Sequence, residues 1–187
     1  SLKAERSEAS KSHIMVIGVG GAGGNAVNHM YHLGIKDVDF MVCNTDQQAL
    51  DISPVEFKVR LGDDGLGAGN DPAVGRRAAI TSLDMVKQKF ENLSTKMIFI
   101  TAGMGGGTGT GASPVIAKAA REMGILTVGI VTSPLKIEGQ IRYKQAMAGI
   151  EELKGCVDSL LIINNDNIMA MGGRMTVDDA FSLADDV

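Results

Sequence analysis

Apolar residues recur along the chain in short continuous runs, and each run is followed by a stretch in which apolar positions return at helical spacing. The runs at 13–17, 39–43, 97–102, 125–131 and 159–163 are too short for helices and rich in Val and Ile, which predicts strands buried on both faces. Residues 55–61 alternate instead, as an edge strand does. Helices are predicted over 26–33, 72–91, 113–123 and 138–154, and Pro72 suits a helix start because its missing N–H has no partner there anyway. This alternation predicts the α/β class: a doubly wound, mostly parallel, Rossmann-like sheet with helices on both faces. Right-handed crossovers place the turns that follow the strands at one edge. With the common strand order 3-2-1-4-5-6, the first and fourth strands are neighbours where the order reverses, and ligands bind there.

Both of those strands run into glycine. Gly18-Val19-Gly20-Gly21-Ala22-Gly23-Gly24-Asn25 follows the first, and Gly103 to Ser113 follows the fourth, with five glycines between positions 105 and 111 and Thr108 and Thr110 interleaved. Such turns allow positive φ and close approach, and their N–H groups meet the positive end of a helix dipole, an arrangement suited to phosphate. Gly18-x-Gly20-x-x-Gly23 has the dinucleotide spacing, while Gly106 to Gly111 has the glycine spacing of Walker A with Ala112 where lysine is required. Phosphate is therefore expected on backbone, on the Thr108 and Thr110 hydroxyls, and with a metal ion. Two cradles across one crevice imply a polyphosphate. Two readings follow: a nicotinamide dinucleotide with Asp46 on its ribose, which leaves the second cradle unused, or a nucleoside triphosphate shared by both loops.

Composition narrows the partners. The 187 residues suit one domain or a piece of something larger, and with 44% hydrophobic but only 4% aromatic residues the core must be aliphatic. A net charge of −4 without a basic cluster argues against nucleic acid. Cys43 and Cys156 lack metal or CxxC spacing and read as reduced thiols of a cytoplasmic protein. Residues 1–12 read as a disordered leader rather than a signal peptide, and no stretch suits membrane insertion. His29 and His32 lack a third ligand and read as polar-face residues, and 169–173 reads as a helix stop and linker.

In their order along residues 14–187, six motifs resemble the tubulin superfamily of GTPases in its bacterial cell-division form: Gly20 to Asn25, Asn44-Thr45-Asp46, Gly65 to Asn70, Gly105 to Gly111, Glu138-Gly139-x-x-Arg142 and Asn165-Asp166. The resemblance implies that Gly20, Gly21, Gly23 and Gly24 form a first phosphate loop, with Asn25 reaching the guanine. Asn44 and Asp46 would lie near the phosphates and metal, with Ala68, Gly69 and Asn70 around the γ-phosphate. Gly105, Gly106, Gly107, Thr108, Gly109, Thr110 and Gly111 would hold phosphate, and Thr132, Pro134, Glu138 and Arg142 the ribose and phosphate. Asn165, Phe181 and Asp186 would form the base pocket. There a carboxylate accepts from both guanine donors, N1–H and the exocyclic amine, and would repel the N1 acceptor of adenine.

The resemblance further implies GTP or GDP with Mg2+, the metal having no direct protein ligand, and a head-to-tail homopolymer at a mid-cell division ring. Division-ring partners would be met through a C-terminal region. Residues 13–187 would be the GTP-binding domain, ending at the start of a central helix with the C-terminal domain absent. No catalytic residue would lie within this chain, an acidic loop of the next subunit completing hydrolysis, so the chain would bind nucleotide and barely turn it over. Departures from the family pattern are a short Gly62-Asp63-Asp64-Gly65 loop, Leu135 and Ile137 where Phe is common, Asn164 for Pro and Asp185 for Asn.

Overall fold

A computed structural model describes residues 13–164 and the backbone of 167–170 and 173–176. Strand β1 (Ile14–Val19) leads into helix α1 (Gly20–His32), followed by β2 (Asp39–Asn44), the short α2 (Gln47–Asp51) and β3 (Phe57–Arg60). Helices α3 (Pro72–Thr81) and α4 (Leu83–Asn92) precede β4 (Met97–Gly103), α5 (Thr108–Glu122) and β5 (Leu126–Thr132). A 3-10 turn (Lys136–Glu138), α6 (Gln140–Lys154), β6 (Ser159–Asn164), β7 (Asn167–Ala170) and β8 (Gly173–Thr176) complete the order.

The sheet runs β3-β2-β1-β4-β5-β6-β7-β8, parallel as far as β6 and antiparallel after it. The expected order of the first six strands holds, with β3 at an edge and β1 beside β4. Alternate side chains divide the core. Met15, Ile17, Val19, Ile98 and Ile100 join Phe90, Ile116 and Leu153 on one face, while Val16, Phe40 and Val42 meet Val27 and Leu50 on the other. The expectation of strands buried on both faces fails in β4 and β5, where Phe99, Val128 and Ile130 are only half-buried.

Other boundaries differ for identifiable reasons. The helix predicted over 72–91 breaks at Ser82, whose hydroxyl accepts the Gly62 N–H at 2.9 Å and whose carbonyl starts α4 through Met85 and Val86. Of the stretch 169–173, expected as a helix stop and linker, the described residues 169, 170 and 173 lie in strands, where Leu161 pairs with Ala170 and Ala170 with Gly173, both antiparallel. Helices α1 and α5 begin at Gly20 and Thr108 rather than at 26 and 113, so most of the glycines lie inside the first turns.

Those glycines mainly permit backbone contact. A Cβ at Gly111 would lie 1.9 Å from the Pro72 carbonyl oxygen, and one at Gly75 would lie 2.3 Å from that of Gly107. The starts of α3 and α5 are thus pressed together by reciprocal glycines. Gly111→Ala should destabilise the fold by about 1–3 kcal/mol, read as a fall in melting temperature. Gly24→Ala, where nothing lies within 4 Å of the added methyl, should leave that temperature unchanged or raise it.

Burial pushes the Cys43 thiol from 9.0 up to about 12. The folded chain then holds this proton more tightly than the unfolded chain. Its contribution is whole below pH 9 and is lost as pH rises through 12. Denaturant titrations across that window should show a steeper fall in stability for the parent than for Cys43→Ala.

Candidate functional site

Beyond the carboxyl ends of β1 and β4, helices α1 and α5 start side by side, and a Cβ at Gly20 would lie 2.9 Å from the Gly109 nitrogen. The third helix start, that of α3, is capped by Asp71, which accepts from the Ala73 N–H, and it packs against Gly107. At α3, Pro72 has no N–H and the Ala73 N–H is taken by Asp71, whereas α1 and α5 leave their first N–H groups without an intrahelical partner, so two positive dipole ends converge.

They open onto a cavity of about 500 Å³. Of the predicted residues, Gly21, Asn44, Asp46, Ala68, Gly69, Asn70, Gly106, Gly107, Thr108, Gly109, Thr132, Pro134, Glu138 and Arg142 line it. Gly20, Gly24 and Asn25 line a smaller hollow of about 150 Å³ that shares Gly21, Asn44 and Ala49 with the first. Asn165, Phe181 and Asp186 lie outside the described residues.

Gly23, Gly105, Thr110 and Gly111 line neither hollow; they are buried in the supporting turns. The Thr110 hydroxyl accepts the Gly105 N–H at 2.7 Å, so it braces the loop instead of facing a phosphate as expected. Only Gly105, at φ +112°, needs the left-handed region within the second cradle. In the first turn the dinucleotide spacing serves packing: a Cβ at Gly18 would meet the Gly23 carbonyl at 2.3 Å, and one at Gly23 the Thr101 carbonyl at the same distance.

The second and third loops are zipped together. Gln47 N–H donates to Gly65 O at 3.0 Å and Gly67 N–H to Thr45 O at 3.2 Å. Asp46 caps α2 by accepting from Gln48 and Ala49, and Asn44 Oδ1 accepts from the Asp46 N–H. Across the cavity floor the buried Thr45 and Thr108 hydroxyls hydrogen-bond at 2.7 Å. Glu138 accepts the Leu135 N–H at 2.6 Å. Among the lining residues Arg142 supplies the cationic side chain, and both carboxylates, Asp46 and Glu138, accept from backbone. The arrangement suits a polyanion held chiefly by backbone N–H groups.

Two participants escaped sequence reasoning. Thr45 stood inside a quoted motif without a role, although its hydroxyl partner identifies it as a floor residue. Gln145 on α6 carries no motif signal, yet the end of its side-chain amide lies 3.0 and 3.3 Å from the Gly105 and Asn70 carbonyl oxygens, which assigns its nitrogen to that position. His29 and His32 are exposed, as expected, and among the described residues no His, Cys, Asp or Glu cluster could hold a metal ion.

The model of the Tubulin/FtsZ family, GTPase domain, matches residues 13–173. A cell division protein FtsZ from Porphyromonas gingivalis (strain ATCC BAA-308 / W83) is 51% identical over 176 residues, 92% of this chain and 38% of the relative. Among solved structures, an empty FtsZ dimer from M. jannaschii matches with a TM-score of 0.79 at 36% identity, over 99% of this chain and 54% of that one. A GTPγS-bound CetZ2 protofilament from Haloferax volcanii matches at 0.75 and 26% identity, over 92% and 54%. The chain thus spans well under half the length of the curated relative and about half that of the solved ones.

Gly106 lines the cavity with nothing within 4 Å of an added Cβ. Gly106→Ala should therefore melt like the parent but bind a nucleoside polyphosphate about tenfold more weakly, a loss of about 1.4 kcal/mol by calorimetry.

Proposed function

The chain belongs to the Tubulin/FtsZ family, within its GTPase domain, and from that premise we propose that it is the GTP-binding part of a filament-forming cell-division GTPase. The observation that carries this is the convergence of two helix N-termini, those of α1 and α5, on one cavity whose cradle contains no lysine. Backbone of the first and fourth loops holds the α- and β-phosphates. Ala68, Gly69 and Asn70 close around the γ-phosphate, and Thr132, Pro134, Glu138 and Arg142 take the ribose side. Asn25, Asn165, Phe181 and Asp186 are proposed for the guanine.

The lining oxygens of Asn44 and Asp46 fit the neighbourhood of a hard cation, but they are too few to hold it alone. Mg2+ bound by the phosphates would supply charge neutralisation there. Both lining carboxylates accept backbone N–H groups, each through one oxygen, and neither is assigned as a general base. The next subunit of a head-to-tail polymer would complete the site, and in support one solved relative is a dimer and another a GTPγS-bound protofilament. The proposed setting is the cytoplasmic face of a mid-cell ring, with further partners met through other parts of the whole protein. Among the described residues no helix is long and apolar enough to cross a membrane.

Titration calorimetry of the chain with GTP, ATP and NAD, with and without Mg2+, tests the proposal. Binding of GTP in preference to ATP and NAD is expected, with negligible turnover until the remaining portion of the protein is added. Binding of NAD without GTP would overturn it.

A further inference from the structure

We infer that Gln145 is a positioning residue: it ties the third loop to the fourth and thereby sets the preference for a nucleoside triphosphate over the diphosphate. The inference rests on the proposed nucleotide reading. Gln145 lies on α6, three residues beyond Arg142, and is half-buried behind the cavity wall. The end of its amide lies 3.0 Å from Gly105 O and 3.3 Å from Asn70 O, and with the nitrogen assigned to that position it donates to both. The opposite amide orientation would set three carbonyl-type oxygens together with no proton among them, whereas the NH2 group has one proton for each carbonyl.

What these two bonds do follows from peptide geometry. In a trans peptide the C=O and the following N–H point in opposite directions. Holding the Gly105 carbonyl towards α6 therefore turns the Gly106 N–H away from it, and Gly106 lines the cavity. The other side of Gly105 is held as well, because its own N–H donates to Thr110 and its φ of +112° leaves no room for a Cβ beside Arg142 Cγ, 2.8 Å away. The Asn70 carbonyl is fixed in the same way while the Asp71 N–H donates to Ala68 O at 3.1 Å. Asn70 sits at φ +59°, a region that non-glycine residues populate sparsely, so this peptide needs its restraints.

One side chain thus couples the loop proposed for the γ-phosphate to the loop proposed for the rest of the phosphate chain. A diphosphate fills only the fourth-loop side. A triphosphate also needs the third loop closed, and only its affinity benefits from that loop being closed beforehand.

The test is calorimetric titration of the parent chain, Gln145→Leu and Gln145→Glu with GTPγS and GDP, alongside amide hydrogen exchange on the ligand-free chains. Leu removes both donors at similar size, and Glu sets acceptors against the two carbonyls. The ratio of GTPγS to GDP affinity should fall by about fivefold or more in both variants, with GDP affinity falling less than GTPγS affinity. Equal losses for both nucleotides, or an unchanged ratio, would overturn the inference. If the parent binds neither nucleotide, the nucleotide reading fails separately and exchange decides: faster exchange at residues 69–71 and 105–107 in both variants supports the coupling, and unchanged exchange overturns it.

Discussion

The structure depends on backbone-to-backbone contact between helix starts. Gly75 lies against Gly107, Gly111 against Pro72 and Gly20 against Gly109, each at a separation that a single methyl group would violate. Helices carrying side chains at those points would stand several ångströms further apart, and their orphan N–H groups would face separate patches of solvent. Held this close, the N-termini of α1 and α5 share one cavity, with the start of α3 packed against α5.

That convergence has an electrostatic consequence. Positive dipole ends crowded together repel one another, and an anion placed among them relieves the repulsion while satisfying the N–H groups. Lysine is then unnecessary, which is why Ala112, where a Walker A loop carries lysine, can be fully buried in α5. The threonines divide the remaining work: Thr110 braces the turn, and Thr108 pairs with Thr45 across the floor. The turn before α5 is also braced, because the Gly105 N–H is held by the Thr110 hydroxyl.

The proposed division of labour between protomers has a physical basis in the same arrangement. Binding needs many weak donors at fixed positions, and one domain can supply them. Hydrolysis needs a group aimed at the terminal phosphate, and the lining carboxylates Asp46 and Glu138 each brace a loop through one oxygen. A group supplied from outside the cavity would make turnover conditional on assembly.

The α/β class, the order of the first six strands and the meeting of the two glycine turns were legible in the sequence by itself. Strand runs and glycine spacing are local patterns, and chain handedness leaves few ways to connect them. The family resemblance, rather than local pattern, pointed to Asn44, Asp46, Ala68 to Asn70 and Arg142, which line the cavity. Only the tertiary structure decided what each glycine is for, because a glycine needed for positive φ and one needed for a neighbouring backbone look the same in sequence. It alone showed that Ser82 breaks a continuous helical pattern by bonding the distant Gly62, and that the Thr110 hydroxyl turns inward. Gln145 was illegible for the same reason. Its partners, Gly105 and Asn70, lie 40 and 75 positions away in sequence, and no periodicity records a contact made across that distance.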